Sequence, residues 1–241
     1  HVAGVLPGSL AALSAGVHVV IPTTGLFRNR EVIRNYWKLV ERYRATVLSG
    51  VSTVLTALTE VPLDGADISS LRYARTGAAP LTPELAARFT KLFGLHIYET
   101  YGMTEMVGTS TVTPPGLKRE AGCVGLRQPY SQMRVVALDA QGGASDQVQA
   151  PGRSGMVQFK APNVFAGYLN HDDNRHAFSH DGWLNTGDLG YIDDQECLHL
   201  SGRAKDLIIR GGHNIDPRVI EEALDSHPAV QTSAAVGAPD D

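Results

Sequence analysis

The order of elements between residues 71 and 105 limits the folds open to this chain. A strand-like segment over 71–75 ends in the small residues 76–80, and a helix-forming segment follows. A second strand-like segment over 96–101 ends in the loop 102–105. Strand–helix–strand order predicts a parallel pair of strands. Ligands in open α/β sheets bind outside the carboxyl ends of strands, so both loops are predicted to border one crevice.

The helix between these two strands has clear boundary signals. Thr82 has the side chain of an N-cap, Pro83 stands at the first helical position, and Gly94 follows the last apolar residue. Apolar residues recur at helical spacing over 30–44, whereas the apolar run 18–21 predicts a buried strand. These alternations predict an α/β fold class, with a doubly wound, mainly parallel sheet in the first subdomain.

The pattern of apolar and turn-forming residues changes from Thr113 onward. The segments 132–138 and 156–160 alternate apolar and polar residues, which is typical of half-buried strands. We therefore predict an α/β subdomain over 1–114 and a smaller β-rich subdomain over 115–203. Residues 204–241 would then begin a small α+β C-terminal domain.

Charge and cysteine content exclude some classes of protein. A formal net charge of −4 argues against a general nucleic-acid binder. Basic residues recur at steps of four over 30–44, which more often marks a solvated helix face than a phosphate site. Cys123 and Cys197 lack CxxC spacing, so neither a disulfide framework nor a cysteine-based zinc site is expected, and a reducing, cytoplasmic setting is predicted. No apolar run has the length of a membrane span.

Three histidines invite a metal interpretation that their surroundings do not favour. His171, His176 and His180 lie close in sequence, with Asp172 and Asp173 between the first two. The segment is polar and rich in Asn, Asp and Ser, which is more typical of a solvated loop. A solvated loop is therefore the prediction here.

Single polar residues on separate loops are the stronger candidates for a site. The sequence contains no GxxxxGK[ST], GxGxxG, GxSxG or HExxH motif. The carboxylate of Glu105 suits a hard cation such as magnesium, and that of Asp188 suits a ribose diol. The Arg203 guanidinium suits phosphate and ribose oxygens. Each alone is more often a turn residue, but together they supply the parts of a nucleotide site without a Walker loop.

The segment 201–217 connects the β-rich part to the last helix. Gly211 and Gly212 allow backbone angles and close approaches that a Cβ would forbid, so a ligand could lie along this stretch. The other interpretation is a β-turn and helix start of the kind found in any α/β protein. A helix from Pro217 and a strand over 230–236 are predicted to follow.

Three motifs resemble those of the adenylate-forming superfamily, which contains acyl-CoA synthetases, luciferases and the adenylation domains of peptide synthetases. They are YGMTE (101–105), WLNTGDLG (183–190) and GRAKDLIIRGG (202–212). The similarity reaches back through 76–80 to the first residues, so it covers nearly the whole chain. The RGGHNI form of the third motif looks most like AMP-forming acyl-CoA synthetases, the fatty-acid and acyl-CoA ligases.

The resemblance implies a role for each matching residue. Thr104 would hold the α-phosphate and Glu105 the magnesium ion. Asp188 would bind the ribose hydroxyls, and Arg203 the ribose and phosphate oxygens. The remaining nucleotide-binding residues would be Gly77, Ala78, Ala79, Pro80, Tyr101 and Gly102.

Further roles follow from the same resemblance. Lys205 matches the hinge about which the family's C-terminal domain swings, and Gly211 and Gly212 would line the pantetheine channel. Ser52 stands where many relatives carry proline, so its loop is expected to be less rigid here. The acyl pocket would be bordered by His1, Val51, Ser52, Gly102 and Met103.

The reaction implied has two halves. A carboxylic acid, with a fatty acid expected, reacts with ATP to give an acyl-adenylate and pyrophosphate; coenzyme A then displaces AMP. ATP or AMP, Mg²⁺ and coenzyme A are thus the expected cofactors and partners. The family's phosphate loop and its activating lysine have no match within 1–241, so this chain alone is expected to be inactive. Two alternatives stay open: an adenylating enzyme that loads a carrier protein, and a non-catalytic nucleotide-binding module.

Overall fold

The computed structural model describes residues 2–117, 122–210, 213–225, 227, 229–230 and 233–238. The chain divides into two compact units, His1–Gln128 and Pro129–Asp241. The three-part division expected from the sequence stays a prediction.

The first unit contains a five-stranded sheet in the order β1-β2-β3-β4-β5. Its strands are β1 (Val47–Ser49), β2 (Tyr73–Gly77), β3 (Ile97–Tyr101), β4 (Thr111–Val112) and β5 (Cys123–Arg127). The first three pair in parallel, and β4 and β5 add to them in antiparallel fashion. The predicted α/β class is confirmed, with parallel pairing among β1, β2 and β3.

Six α-helices lie in the described part of the first unit, and a side chain caps the N-terminus of two of them. They are α1 (Val2–Val5), α2 (Ala11–Ser14), α3 (Arg30–Arg34), α4 (Tyr36–Tyr43), α5 (Ser52–Thr59) and α6 (Pro83–Phe93). The α6 boundaries are as predicted: the Leu85 amide donates to Thr82 Oγ1 at 3.3 Å, and Gly94 has a φ of +67°. The helix predicted over 30–44 is interrupted at Asn35.

The core of the first unit lies between α4, α5, α6 and the parallel strands. The predicted apolar face of α4 is buried, with Trp37 1% and Val40 3% exposed. The Trp37 indole donates to the Val61 carbonyl at 3.0 Å, so its one polar atom is paired as burial requires. Side chains from neighbouring elements complete this core: Leu48, Leu55, Leu58, Ala74 and Phe89.

Two expected strands are absent from the described residues. Residues 18–21 have no regular structure, and Ile21 is 64% exposed, so the prediction of a buried strand was wrong. Residues 229–230 and 233–238 contain no strand either. An apolar run forms a strand only where another strand supplies backbone hydrogen bonds, and a single run does not reveal that partner.

The second unit is β-rich, as the alternation of its sequence predicted. Its five-stranded antiparallel sheet has the order β10-β9-β8-β6-β7. The strands are β6 (Gln132–Leu138), β7 (Ala144–Val148), β8 (Gly155–Lys160), β9 (Leu184–Ile192) and β10 (Leu198–Arg203). A separate antiparallel hairpin follows, and then a helix: β11 (Ile208–Arg210), β12 (His213–Ile215) and α7 (Pro217–Asp225).

The cysteines depart from expectation. Cys123 and Cys197 are 3% and 0% exposed, and neither is a free thiol, so the expectation of cysteines without a disulfide was wrong. The cytoplasmic setting loses that support and stays a prediction. Within the described residues, no helix combines the length and the apolar character that crossing a membrane requires.

Candidate functional site

Three segments that carry predicted site residues follow the parallel strands of the first unit. In the register of these strands, Ser49 pairs with Arg75 and Gly77 with Thr100, so their carboxyl ends meet at one edge of the sheet. The structure places the following residues along that edge: Val51, Ser52, Gly77, Ala78, Ala79, Pro80, Tyr101, Gly102, Met103, Thr104 and Glu105.

The loop after β2 leaves the sheet through a close contact with β3. A Cβ on Gly77 would lie 2.5 Å from Thr100 Oγ1 and 2.7 Å from the Thr100 carbonyl oxygen, so a side chain does not fit. The Thr100 hydroxyl donates to the Thr76 carbonyl at 3.1 Å. Ala78 has a φ of +67°, a backbone conformation that costs free energy in a residue with a Cβ. The loop must therefore be held in place by its neighbours.

Two side chains from outside the loop hold its far end. The Ser52 hydroxyl, in the first turn of α5, donates to the Pro80 carbonyl at 2.8 Å, and the Ala79 carbonyl oxygen lies 3.5 Å away. The Glu99 carboxylate accepts from the Leu81 amide at 3.3 Å. The sequence did not reveal the Ser52 or Glu99 contacts, because both join segments that are distant along the chain.

The turn after β3 is built on two glycines. A Cβ on Gly102 would lie 1.5 Å from the Gly108 carbonyl oxygen, which excludes any side chain at this position. The Gly108 amide donates to the Met103 carbonyl at 2.9 Å, closing the turn around a short 3-10 helix over Thr104–Met106. Thr104 is exposed and Glu105 is half-buried. A hydroxyl and a carboxylate supply oxygen ligands, which a hard cation such as Mg²⁺ prefers.

Asp188 and Arg203 form an ion pair in the second unit. They are paired in register across β9 and β10, and Arg203 Nε lies 3.0 Å from Asp188 Oδ1. The Asp188 side chain is only 11% exposed, whereas that of Arg203 is 60% exposed. A nearly buried carboxylate needs charged or hydrogen-bonding partners, and the guanidinium supplies one while its outer face stays open to solvent.

The residues just before Asp188 set its position. Gly187 has a φ of +75°, a conformation that glycine adopts without steric cost. The Thr186 hydroxyl donates to the Val157 carbonyl at 2.8 Å and accepts from the Asp188 amide at 3.1 Å. The Thr-Gly-Asp sequence thus has a local structural role in addition to any contact with a ligand.

A polar network at the start of the same motif was not predicted. Arg134 makes two hydrogen bonds to the Asp181 carboxylate, at 2.9 and 3.0 Å, and its guanidinium carbon lies 4.3 Å from the centre of the Trp183 ring. Arg134 Nε also donates to the fully buried Gln158 at 2.6 Å. The Ser179 hydroxyl, and then Arg134, lower the pKa of Asp181 to about 2 by hydrogen bonding to its charged form.

The remaining candidates lie at exposed positions or outside the described residues. Lys205 is exposed in the short 3-10 helix Ala204–Asp206. The histidines 171, 176 and 180 are exposed, which agrees with the prediction of a solvated loop. His1, Gly211 and Gly212 lie outside the described residues.

Comparison with known sequences identifies related proteins. The model of the family described as AMP-binding enzyme matches residues 1–169. The marinolic acid–CoA ligase of a Pseudoalteromonas species is 40% identical over 240 residues, which cover 100% of this chain and 36% of that protein. The sulfoacetate–CoA ligase of Cupriavidus necator is 38% identical over 243 residues, which cover 100% of this chain and 45% of that protein. The chain thus spans less than half the length of these relatives.

Similar solved structures are also CoA-dependent synthetases or ATP-bound enzymes, and this chain again covers less than half of each. The structure of ATP-bound MatB from Rhodopseudomonas palustris has a TM-score of 0.84 and 32% identity, covering 99% of this chain and 45% of that one. O-succinylbenzoate coenzyme A synthetase from Bacillus subtilis, in complex with ATP and magnesium ion, has a TM-score of 0.81 and 29% identity. That match covers 100% of this chain and 47% of the synthetase.

Proposed function

Since this chain belongs to the AMP-binding enzyme family, we propose that the protein carrying it is an AMP-forming acid–thiol ligase. Its substrates are a carboxylic acid, ATP and coenzyme A. One observation carries the proposal: the likeness to structures that contain ATP extends over 99% or more of this chain. The likeness therefore includes all three motif segments.

The proposed reaction proceeds in two displacements. A carboxylate oxygen of the acid attacks the α-phosphorus of ATP, a P–O bond forms, and pyrophosphate leaves. The thiolate of coenzyme A then attacks the carbonyl carbon of the acyl-adenylate, and AMP leaves with the electron pair of the C–O bond. Splitting the reaction this way replaces the poor hydroxyl leaving group of the acid by a phosphate ester.

The first unit supplies the groups for adenine and the phosphates. The backbone of the loop 77–80 borders the adenine, and the Tyr101 ring offers it an apolar face. The Thr104 hydroxyl donates to the α-phosphate, which gains negative charge as the acid attacks. Glu105 holds the magnesium ion, which supplies charge neutralisation on the phosphates when bound. The close packing of Gly102 against Gly108 supports these roles, because it fixes the turn before the ligand arrives.

The second unit supplies the groups for the ribose. Asp188 accepts hydrogen bonds from the ribose hydroxyls, and Arg203 donates to ribose and phosphate oxygens. Their 3.0 Å ion pair supports this assignment, since Arg203 orients the carboxylate while its exposed face remains free for a ligand. Lys205 is the proposed hinge of the C-terminal part. The proposed channel for the pantetheine arm includes Gly211 and Gly212, which lie outside the described residues.

The proposed acid substrate is a carboxylic acid. The proposed pocket includes Val51, Ser52, Gly102 and Met103, together with His1, which lies outside the described residues. The acids named for the relatives differ widely in size and charge. A panel of sulfoacetate, o-succinylbenzoate and a long-chain fatty acid spans that range.

Acid-dependent exchange of labelled pyrophosphate into ATP tests the first half-reaction in the complete gene product that carries this chain. We expect exchange with at least one acid of the panel and a loss of at least about tenfold in Asp188→Ala, since charged hydrogen bonds contribute about 1.5–3 kcal/mol. Absence of exchange with every acid would favour a non-catalytic nucleotide-binding module.

Trapping the acyl product tests the second half-reaction. We expect a coenzyme A thioester, formed together with AMP. Acyl transfer to the phosphopantetheine thiol of a carrier protein, with none to free coenzyme A, would instead identify the alternative of a carrier-loading enzyme.

A further inference from the structure

We infer that Ser52 is a positioning residue that fixes the adenine-bordering loop 78–80 to the segment 50–52 that borders the acid pocket. This inference rests on the proposed function and adds a residue to it. Ser52 acts through the Pro80 carbonyl rather than by touching the reacting atoms. Its hydroxyl therefore couples the two halves of the first-step site.

The geometry of the Ser52 hydroxyl is the basis of this inference. Ser52 opens α5, but Val51 is the N-cap and makes no side-chain capping bond. The Ser52 hydroxyl does not bond back to an amide of its own helix, as serine at a helix start commonly does. It donates instead to the Pro80 carbonyl, 28 residues away, at 2.8 Å.

The loop needs such a contact. Residues 78–80 are exposed, and Ala78 is held at a φ of +67°. A strained conformation persists only where its surroundings determine it. On the β3 side the Glu99 carboxylate accepts from the Leu81 amide at 3.3 Å, so the Ser52 bond holds the loop from the α5 side.

The same helix start connects this bond to the acid pocket. Val51 is 43% exposed at the carboxyl edge of the sheet, directly before Ser52. The Gly50 amide donates to the Arg75 carbonyl at 3.1 Å, which ties the segment to β2. The Ser52 hydroxyl thus connects the segment assigned to the acid pocket with the loop assigned to the adenine.

Four variants of the complete gene product test the inference. Ser52→Ala removes the donor. Ser52→Pro also removes it but keeps the helix start, because proline is favoured at the first helical position and Val51 already has extended angles, φ −73° and ψ 161°. Ser52→Thr restores a hydroxyl. Thr53→Ala removes a hydroxyl from the exposed neighbouring position of the same helix.

Calorimetric titration with AMP and the KM for ATP are the readouts. We expect Ser52→Ala and Ser52→Pro to raise the Kd for AMP and the KM for ATP about three- to tenfold, with kcat changed less than twofold. Ser52→Thr should recover most of that loss, and Thr53→Ala should stay within twofold of the unmodified protein.

Each other outcome overturns the inference in a distinguishable way. Unchanged AMP affinity in both Ser52→Ala and Ser52→Pro would show that the Pro80 contact does not position the loop. An equal loss in Thr53→Ala would assign the effect to α5 stability alone. If the unmodified protein neither binds AMP nor catalyses acid-dependent exchange, the proposed function fails, and it does so before any variant is compared.

Discussion

Asp188 and Arg203 face each other across β9 and β10, with Oδ1 of the aspartate 3.0 Å from Nε of the arginine. Each is a candidate ligand residue on a separate sequence motif, and the strand register brings the two side chains together. The pair is asymmetric, since the aspartate is nearly buried and the arginine is mostly exposed. The carboxylate is therefore fixed in position, and the exposed guanidinium can turn toward a ligand.

Replacing Asp188 by Asn should weaken AMP binding about ten- to a hundredfold, because a charged acceptor contributes about 1.5–3 kcal/mol. The effect on folding should be smaller, since the Arg203 side chain that loses its partner is 60% exposed and remains hydrated. Calorimetric titration of AMP and urea unfolding measure the two quantities separately.

Asp194→Asn is the matched control, since it makes the same change at an exposed position of the β9–β10 connection. Its AMP affinity should equal that of the unmodified protein. Equal affinity in the Asp188 variant as well would remove this aspartate from the ribose site.

Gly102→Ala should disrupt the turn that carries Thr104 and Glu105. The new Cβ would meet the Gly108 carbonyl oxygen at 1.5 Å, and a backbone atom cannot rotate away as a side chain can. We expect the free energy of unfolding to fall by at least about 1–3 kcal/mol, the usual cost of overpacking. Thermal unfolding followed by circular dichroism measures the loss.

Gly4→Ala provides the comparison for that substitution. Gly4 lies in α1, and a Cβ there would meet no atom within 4 Å. Alanine is favoured over glycine in a helix, so this variant should be unchanged or slightly stabilised. A similar stability of the two variants would show that the Gly102–Gly108 contact is relaxed in solution.

Arg134→Met should destabilise the second unit by about 1–3 kcal/mol, because it leaves the buried Gln158 oxygen without its Nε donor. Arg134→Lys keeps the charge but lacks the planar fork that binds Asp181 with two hydrogen bonds, so it should recover only part of the loss. Arg175→Met removes a side chain that is 73% exposed and paired with Asp172, and should cost less than about 0.5 kcal/mol. If urea denaturation gave Arg134→Met and Arg175→Met the same small loss in free energy of unfolding, the Arg134 network would make no net contribution to stability.

Local signals allowed parts of the fold to be predicted. The bounds of α6 follow from Thr82, Pro83 and Gly94, each of which acts on its immediate neighbours. The strand expected over 18–21 failed because strand formation depends on a partner elsewhere in the chain. The parallel pairing of β2 and β3 was predictable because the intervening helix leaves few other topologies.

Sequence motifs named the residues of the candidate site but not the contacts among them. Motifs identified Asp188 and Arg203, yet their ion pair depends on the β9–β10 register, which includes a bulge after Leu200. The Arg134–Asp181 pair spans 47 residues and has no sequence signature. Such contacts are determined by tertiary packing, which a pattern of residue types does not encode.

Lowering the pH from about 4 to 2 should remove the contribution of the Asp181 carboxylate to the stability of the fold. The pKa of Asp181 is lowered to about 2 by hydrogen bonds from Ser179 and Arg134, against about 3.9 for an unfolded chain. Because the folded pKa is the lower one, the carboxylate stabilises the fold fully above about pH 4, and this stabilisation is lost as the pH falls toward 2. Asp181→Asn should therefore be less stable than the unmodified protein at pH 7, and the gap should close between pH 4 and 2. Urea unfolding at a series of pH values measures the difference in stability between the variant and the unmodified protein. Asp173→Asn, at an exposed position, is the control. A difference that stays constant down to pH 2 would contradict the assignment of the low pKa to this hydrogen-bonded carboxylate.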